Sequence, residues 1–265
     1  MMNKLGLNFV GSFGLSVDDF AKIMAEHGFE KTFSGMGESD ADIAKKAEDF
    51  ARHGITYDTI HCPFSHINDM WYDEDNGMLG ELKTAVDRCV IAGAPILVVH
   101  LSSGLTPPPP TDVGRGRFIE LVEYATSKNV KIAFENQRML GNIGWAFEQF
   151  PDENVGFCWD TGHEYCFTPG RQYMPLFGNR LICTHIQDNN CQFDVDNHFI
   201  PFDGKIPFDF IVKQLKDVDY KGTLMFEVFP RYAPPKYDSY QDYTAEQFIK
   251  RAADAAKRIR DMMGE

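Results

Sequence analysis

The sequence predicts an α/β fold, a single-domain (β/α)8 TIM barrel over residues 1–265, on three observations. Short apolar runs of the kind read as buried strands alternate with stretches of helical periodicity from one end of the chain to the other. Such alternation implies parallel pairing, and a count of eight strand–helix pairs implies closure into a barrel. The 265 residues lie in the range of one such barrel, and no break in composition marks a second domain.

The elements follow in order. Lys4–Val10 reads as the first strand. A helix starts at Ser16, where Ser16 and Asp19 suggest a capping box and Phe20, Ile23, Met24 and His27 share a face. Phe29–Phe33 is a weaker second strand, and a helix runs from about Asp40 to His53 before Gly54. Tyr57–His61 is the third strand; its helix is delayed to about Met78, which leaves Cys62–Asn76 as a long loop. The β-branched run Ile96–His100 is the fourth, followed by the stiff prolines Pro107–Pro110 and a helix from about Arg117 to Lys128. Val130–Glu135 is the fifth strand, with a helix over Ile143–Phe150, and Val155–Asp160 the sixth, with a helical turn around Gln172–Phe177. Leu181–Asp188 is the seventh, and a second long loop reaches Pro207 before a helix at Phe208–Asp217. Thr223–Phe229 is the eighth strand. The last helix begins near Thr244 with Gln247 completing a capping box, and buries Phe248, Ala252, Ala255 and Ile259.

The formal charge is −13, from 39 acidic and 26 basic residues, which argues against a partner bound mainly through phosphates; nucleic acid is not the expected partner. No stretch approaches the roughly 20 apolar residues of a membrane helix, and MMNKLGLNFV has neither a long apolar segment nor a small-residue cleavage site. The six cysteines form no C-x-x-C pair and several fall inside strands as small hydrophobes. A reduced, cytoplasmic protein with no membrane contact is expected.

The chemistry collects where such barrels place it, at the C-terminal ends of the strands. His61, His100, Glu135, Asp160, His185 and Glu227 stand at the ends of strands three to eight, with His163 just beyond Asp160 in VGFCWDTGHEY (155–165) and Asp196 and His198 in the seventh loop. Burying so many ionisable groups at one mouth is very costly unless a cation compensates it, so a divalent metal site is expected. Mixed carboxylate and imidazole donors favour Mn²⁺ or Zn²⁺, with Mg²⁺ or Co²⁺ also admitted.

FEN (134–136), WDTGH (159–163), THIQDN (184–189), DNHFIPFDGKIPF (196–208) and FEV (226–228) resemble the xylose-isomerase-like superfamily of TIM barrels. That group includes sugar isomerases, ketose 3-epimerases, hydroxypyruvate isomerase, inosose dehydratase and endonuclease IV. Its epimerase branch implies Glu135, Asp160, His185 and Glu227 as metal ligands, Glu135 and Glu227 doubling as the catalytic acid/base pair, and His163 touching substrate oxygens. Cys191 stands where that branch has an arginine six residues after the metal histidine. The endonuclease IV branch implies nine ligands for three zinc ions, adding His61, His100, His163, Asp196 and His198 to the four.

The acidic balance and the sparse Lys and Arg of the mouth loops favour sugar chemistry over a nuclease. The resulting expectation is a metal-dependent sugar or sugar-phosphate isomerase or epimerase with a small-molecule partner. In it His61, His100, His163 and His198 meet substrate, and Asp196 and His198 are additional ligand candidates. The alternatives are a nuclease at abasic sites and a lyase of the inosose dehydratase type. Phe64 and Trp71 are expected to roof the pocket. Arg115, Arg117 and, best placed, Arg231 are the candidates to meet an anionic group. The Tyr- and Pro-rich stretch 232–243 has the character of a lid or a subunit contact, which admits a homo-oligomer.

Overall fold

The computed structural model describes residues 2–74, 77–230 and 240–264. Its strands are β1 (Leu5–Asn8), β2 (Lys31–Gly35), β3 (Thr56–His61), β4 (Ile96–His100), β5 (Lys131–Glu135), β6 (Val155–Asp160), β7 (Leu181–His185) and β8 (Leu224–Phe226). They form one parallel sheet in which β1 to β7 are neighbours in sequence order and β8 pairs with β1, Leu5 facing Leu224. The remaining seam is closed by a bridge between Ile186 and Phe226: Ile186 N–H donates to the Met225 carbonyl at 2.7 Å, and Glu227 N–H to the Ile186 carbonyl at 3.1 Å. The expected TIM barrel is therefore the observed one.

The helices are α1 (Val17–Glu26), α2 (Asp40–Arg52), α3 (Met78–Ala92), α4 (Asp112–Ser127), α5 (Leu140–Gln149), α6 (Thr161–Phe167), α7 (Met174–Phe177), α8 (Phe208–Asp217) and α9 (Ala245–Met263). Ser16, Ser39, Thr111 and Thr244 each accept a hydrogen bond from the backbone N–H three residues on, satisfying a donor that the first helical turn leaves free. Thr244 and Gln247 complete a reciprocal capping box, and Phe248, Ala252, Ala255 and Ile259 are buried as the spacing requires. The cap at Thr111 also explains why α4 starts before Arg117.

Two departures from the sequence reading bear on the site. β7 stops at His185, because Ile186 already turns to bridge β8. The short helix α6 was not expected; β6 runs into it directly, and the Asp160 carboxylate caps it by accepting from His163 N–H at 2.7 Å.

Alternation sends one face of every strand toward the helices and the other into the barrel. Leu97, Val99, Phe134, Phe157 and Trp159 face outward into the large core under the helices, whereas Ile96, Val98, Ala133, Cys158 and Cys183 form a separate small cluster inside the barrel. Among the described residues no helix is long and apolar enough to cross a membrane.

Candidate metal centre

His61, His100, Glu135, Asp160 and His185 are the last residues of β3 to β7, and Glu227 lies one residue past β8. All six meet at the mouth, where they line or underlie a cleft of about 490 Å³. Glu135 is the hub. Its Oε2 accepts from His100 Nε2 at 2.5 Å and lies 3.5 Å from His61 Nε2; its Oε1 accepts from His185 Nδ1 at 2.6 Å. The same nitrogen of His185 is 3.1 Å from Glu227 Oε2.

Beside this group, His163 Nε2 and His198 Nε2 converge on Asp196 Oδ2 at 3.1 and 2.9 Å. Three sets of donor atoms each lie within 4.8 Å of one another: Glu135–Asp160–His185–Glu227, His61–Glu135–His185 and His163–Asp196–His198. The sequence-predicted site residues, Arg231 apart, are thus brought together.

Burial opposes charge on all of these groups, and pairing decides which of them ionise. Against burial, His185 and His100 hold the Glu135 carboxyl well below the usual range, and His185 and His198 bring Glu227 down to about 2. His198 and His163 hold Asp196 well below its ordinary value in the same way. The histidines move in the complementary direction. Despite burial, Asp160 and Asp196 raise His163 to about 10, Asp196 raises His198 to about 9, and Glu227 with Glu135 lifts His185 well above its ordinary value.

Hydrogen bonding agrees with these charges. The second nitrogen of His198 faces the Glu227 carbonyl at 3.1 Å, so that ring has acceptors at both ends, while that of His163 lies between the Asn136 carbonyl at 3.1 Å and Gln137 Nε2 at 3.2 Å. Burial wins at two places: it pushes Asp160 up to about 7, and it keeps His100 neutral at about 4 with its Nε2–H given to Glu135. Histidine protons therefore supply the positive charge among the carboxyl groups of Glu135, Asp160, Asp196 and Glu227. A divalent cation does the same with two charges at one point, and these clustered oxygen and imidazole donors fit one.

Other residues hold the donors in place. Gln187 Nε2 donates to Asp196 Oδ1 at 2.9 Å and to both Asp160 oxygens at 3.3 Å, while its Oε1 accepts from His198 N–H at 3.1 Å. A Cβ at Gly162 would meet the Gln187 side chain at 2.2 Å, which explains the glycine inside WDTGH. Gln137 Nε2 donates to Glu135 Oε2 at 3.2 Å. The sequence reading missed both glutamines, although each lies two residues past a ligand, where alternation continues the inward face.

Asp188 folds the seventh loop by accepting four backbone N–H bonds, from Asn189, Phe202, Gly204 and Ile206. In that loop Cys191, Asp194, His198 and Phe202 all have positive φ, a conformation non-glycine residues take up only where the surroundings enforce it.

Several expectations are corrected. Trp71 does not roof the cleft: it is buried against Phe118 and Trp145 with Nε1 donated to the Leu101 carbonyl at 2.6 Å, because the turn Ile67–Trp71 folds the third loop down onto α4. Phe64 does line the cleft, stacked on His100 at 4.7 Å. Arg117 ties that same loop through the carbonyls of Asp69, Met70 and Tyr72, and Arg115 donates to Gln149 Oε1, so neither reaches the mouth. Arg231 and the stretch 232–239 lie outside the described residues; Tyr240, within them, donates to Asp203 and packs on Phe248.

The sequence profile described as xylose isomerase-like TIM barrel matches residues 19–251, and the chain belongs to that family. The uncharacterized protein y4fM of Sinorhizobium fredii (strain NBRC 101917 / NGR234) is 29% identical over 198 residues, 66% of this chain; the chain spans 62% of the length of that curated relative. Two solved structures share the fold over nearly their whole length. A D-psicose 3-epimerase of Clostridium cellulolyticum H10, crystallised with D-tagatose, aligns at TM-score 0.76 and 16% identity over 98% of this chain and 99% of its own. A 3-keto-D-glucoside 4-epimerase of E. coli aligns at 0.74 and 16% over 98% and 99%.

Proposed function

We propose that the protein is a divalent-metal-dependent isomerase or epimerase acting on a small sugar or sugar phosphate. The observation that carries this reading is the pair Glu135 and Glu227, two buried carboxylates sharing His185 Nδ1 at 2.6 and 3.1 Å at the floor of one cleft. Glu135, Asp160, His185 and Glu227 would hold the ion, and Asp196 and His198 are additional donors. When bound, a divalent ion, with Mn²⁺ or Zn²⁺ favoured over Mg²⁺ or Co²⁺, polarises a carbonyl and the hydroxyl beside it and so acidifies the neighbouring C–H.

One glutamate removes that proton and the other returns one: to the opposite face of the same carbon for epimerisation, or to the adjacent carbon for aldose–ketose exchange. Glu227, held at about 2, is ionised across the neutral range and ready to act as a base. His61, His100, His163 and His198 border the cleft and are the residues assigned to substrate hydroxyls. The sugar epimerases that share the fold support a sugar substrate.

The test is deuterium incorporation from D₂O into a ketose, followed by NMR on Mn²⁺-loaded protein. Glu227→Gln keeps the shape and removes the base, and is expected to slow exchange about 10²- to 10⁴-fold. Undiminished exchange would remove Glu227 from the mechanism.

A three-ion nuclease is the second reading, favoured by the donor sets His61–Glu135–His185 and His163–Asp196–His198. Metal content of His61→Ala and His198→Ala, measured beside cleavage of an abasic-site duplex, separates the two. Retained metal without cleavage supports the sugar reading, and lost metal with wild-type cleavage supports the nuclease.

A further inference from the structure

The cleft has a second arm. Next to the ionisable one, a cavity of about 380 Å³ opens over the C-terminal ends of β1, β2 and β3. The two arms share His61, Phe64, Glu227 and Phe229, so a molecule reacting at Glu227 has access to both. Away from that junction the second arm is walled by Phe9, Phe33, Met36 and Pro63, and its described lining holds no Lys or Arg.

Its two polar side chains are engaged by the protein. Asn8 Oδ1 accepts from Val228 N–H at 3.0 Å, and the Ser34 hydroxyl bonds the Gly35 carbonyl at 2.8 Å and the Tyr57 hydroxyl at 3.0 Å. In the first arm the one described guanidinium, Arg138, gives Nε and Nη2 to Asp194 at 2.9 and 2.6 Å and lies 3.7 Å over Phe167.

Two further features shape the arm. Phe64, at the junction, leaves 47% of its surface exposed although it stacks on His100. Its open ring face adds to the apolar wall available to a molecule in the cleft. Gly35 ends β2 on the same face as Phe33, whose ring stacks on His185 at 4.5 Å. A Cβ built at Gly35 meets no atom within 4 Å, so the arm's width depends on the missing side chain.

We infer that the substrate is a keto-sugar carrying an uncharged ring substituent, a keto-glycoside, with the substituent lodged in the apolar arm between Gly35 and Phe64. This rests on the sugar reading above and specifies its substrate class. The sugar ring that reacts sits at Glu135 and Glu227, and the second ring lays an apolar face on the phenyl groups, where no charge has to be matched.

The experiment compares D₂O exchange by the Mn²⁺-loaded protein into D-fructose, D-fructose 6-phosphate and an aryl keto-glucoside. The aryl keto-glucoside is expected to lead in kcat/KM by roughly tenfold or more, the effect of burying one aromatic ring. Gly35→Leu fills the arm and is expected to abolish that lead while exchange into D-fructose and metal content stay as in the wild type. Met36→Ser, which strips apolar wall without adding bulk, is expected to reduce the lead with the same selectivity. A wild type that favours D-fructose or its phosphate overturns the inference, as do variants that change all sugars equally or none. A wild type that exchanges none of the three overturns the isomerase reading, and this inference with it.

Discussion

The inner face of the barrel carries two layers, two residues apart on the same strands, with opposite chemistry. Val98 lies beneath His100, Ala133 beneath Glu135, Cys158 beneath Asp160 and Cys183 beneath His185. The sheet register pairs Val98 with Ala133 and His100 with Glu135, and Cys158 with Cys183 and Asp160 with His185, but it steps by one layer between β5 and β6, where Glu135 faces Cys158. Both layers are buried.

The lower layer asks for no partners. Of its two cysteines, Cys158 behaves as a small hydrophobe, burial pushing its thiol well above the ordinary range. The upper layer tolerates ionisable groups because Glu135 and Glu227 each have a histidine within hydrogen-bond reach that neutralises them. Depth in the barrel therefore does not decide what a position accepts; the presence of a partner within hydrogen-bond reach does.

Moving the upper layer's chemistry down one step is the harshest challenge to that comparison. Cys158→Asp places a carboxylate in the apolar cluster of Val98, Ala133 and Cys183, paired in register with Glu135 of β5. The cost, about 3–5 kcal/mol or more, is a large part of the roughly 5–15 kcal/mol that stabilises a domain. Little folded protein, or a melting temperature lowered by more than about 10 °C in a circular-dichroism melt, is the expected outcome. A melt near the wild type would show that the floor is not the apolar layer described here.

A smaller effect is expected from supplying the mouth with its cation. An ion present at 100 times its Kd stabilises the folded protein by about 2.7 kcal/mol, or roughly 5–10 °C in a chain of this size. Asp160→Asn should remove most of that shift. Because an ion must displace the proton that Asp160 holds up to about pH 7 and the one that His185 holds beyond it, the Mn²⁺-induced shift should shrink as pH falls. A shift that is unchanged by pH and by the substitution would place the ion elsewhere.

The smallest effect sharpens the comparison at its border. Glu164, buried on α6, accepts from Trp159 Nε1 at 2.9 Å and Tyr173 N–H at 3.1 Å but has no cation partner among the described residues, and burial pushes it from 4.5 up to about 7. Its folded pKa is raised, so its contribution is fully present below about pH 4.5 and is lost as pH rises to about 7. Glu164→Gln keeps both hydrogen bonds and cannot ionise. Its advantage over the wild type in denaturant melts should therefore be small at pH 4 and reach about 1–3 kcal/mol at pH 8. Parallel pH profiles for the two proteins would count against this account.

Much of this was legible in the sequence, for a local reason. Helix caps, strand alternation and the acid or histidine closing each apolar run are written in residues a few positions apart, so β4, β6 and α8 fall where their patterns put them and six strand ends give six mouth residues. α6 was hidden because WDTGHEY is short and its cap, Asp160, also reads as a ligand.

What no local pattern fixes is which distant side chains meet. Gln187 is set against Asp160, 27 residues away, and Arg117 against the carbonyl of Asp69, 48 residues away. Trp71 is drawn down onto Gly114 and away from the cleft, and the strained loop that carries Asp196 and His198 is pulled to the mouth by Asp188. The sequence by itself determined the strands, their inward faces and the ligand types they present. Closure of the barrel decided the rest, because only closure brings strand ends far apart in the chain within a few ångströms and makes each buried charge depend on its neighbours.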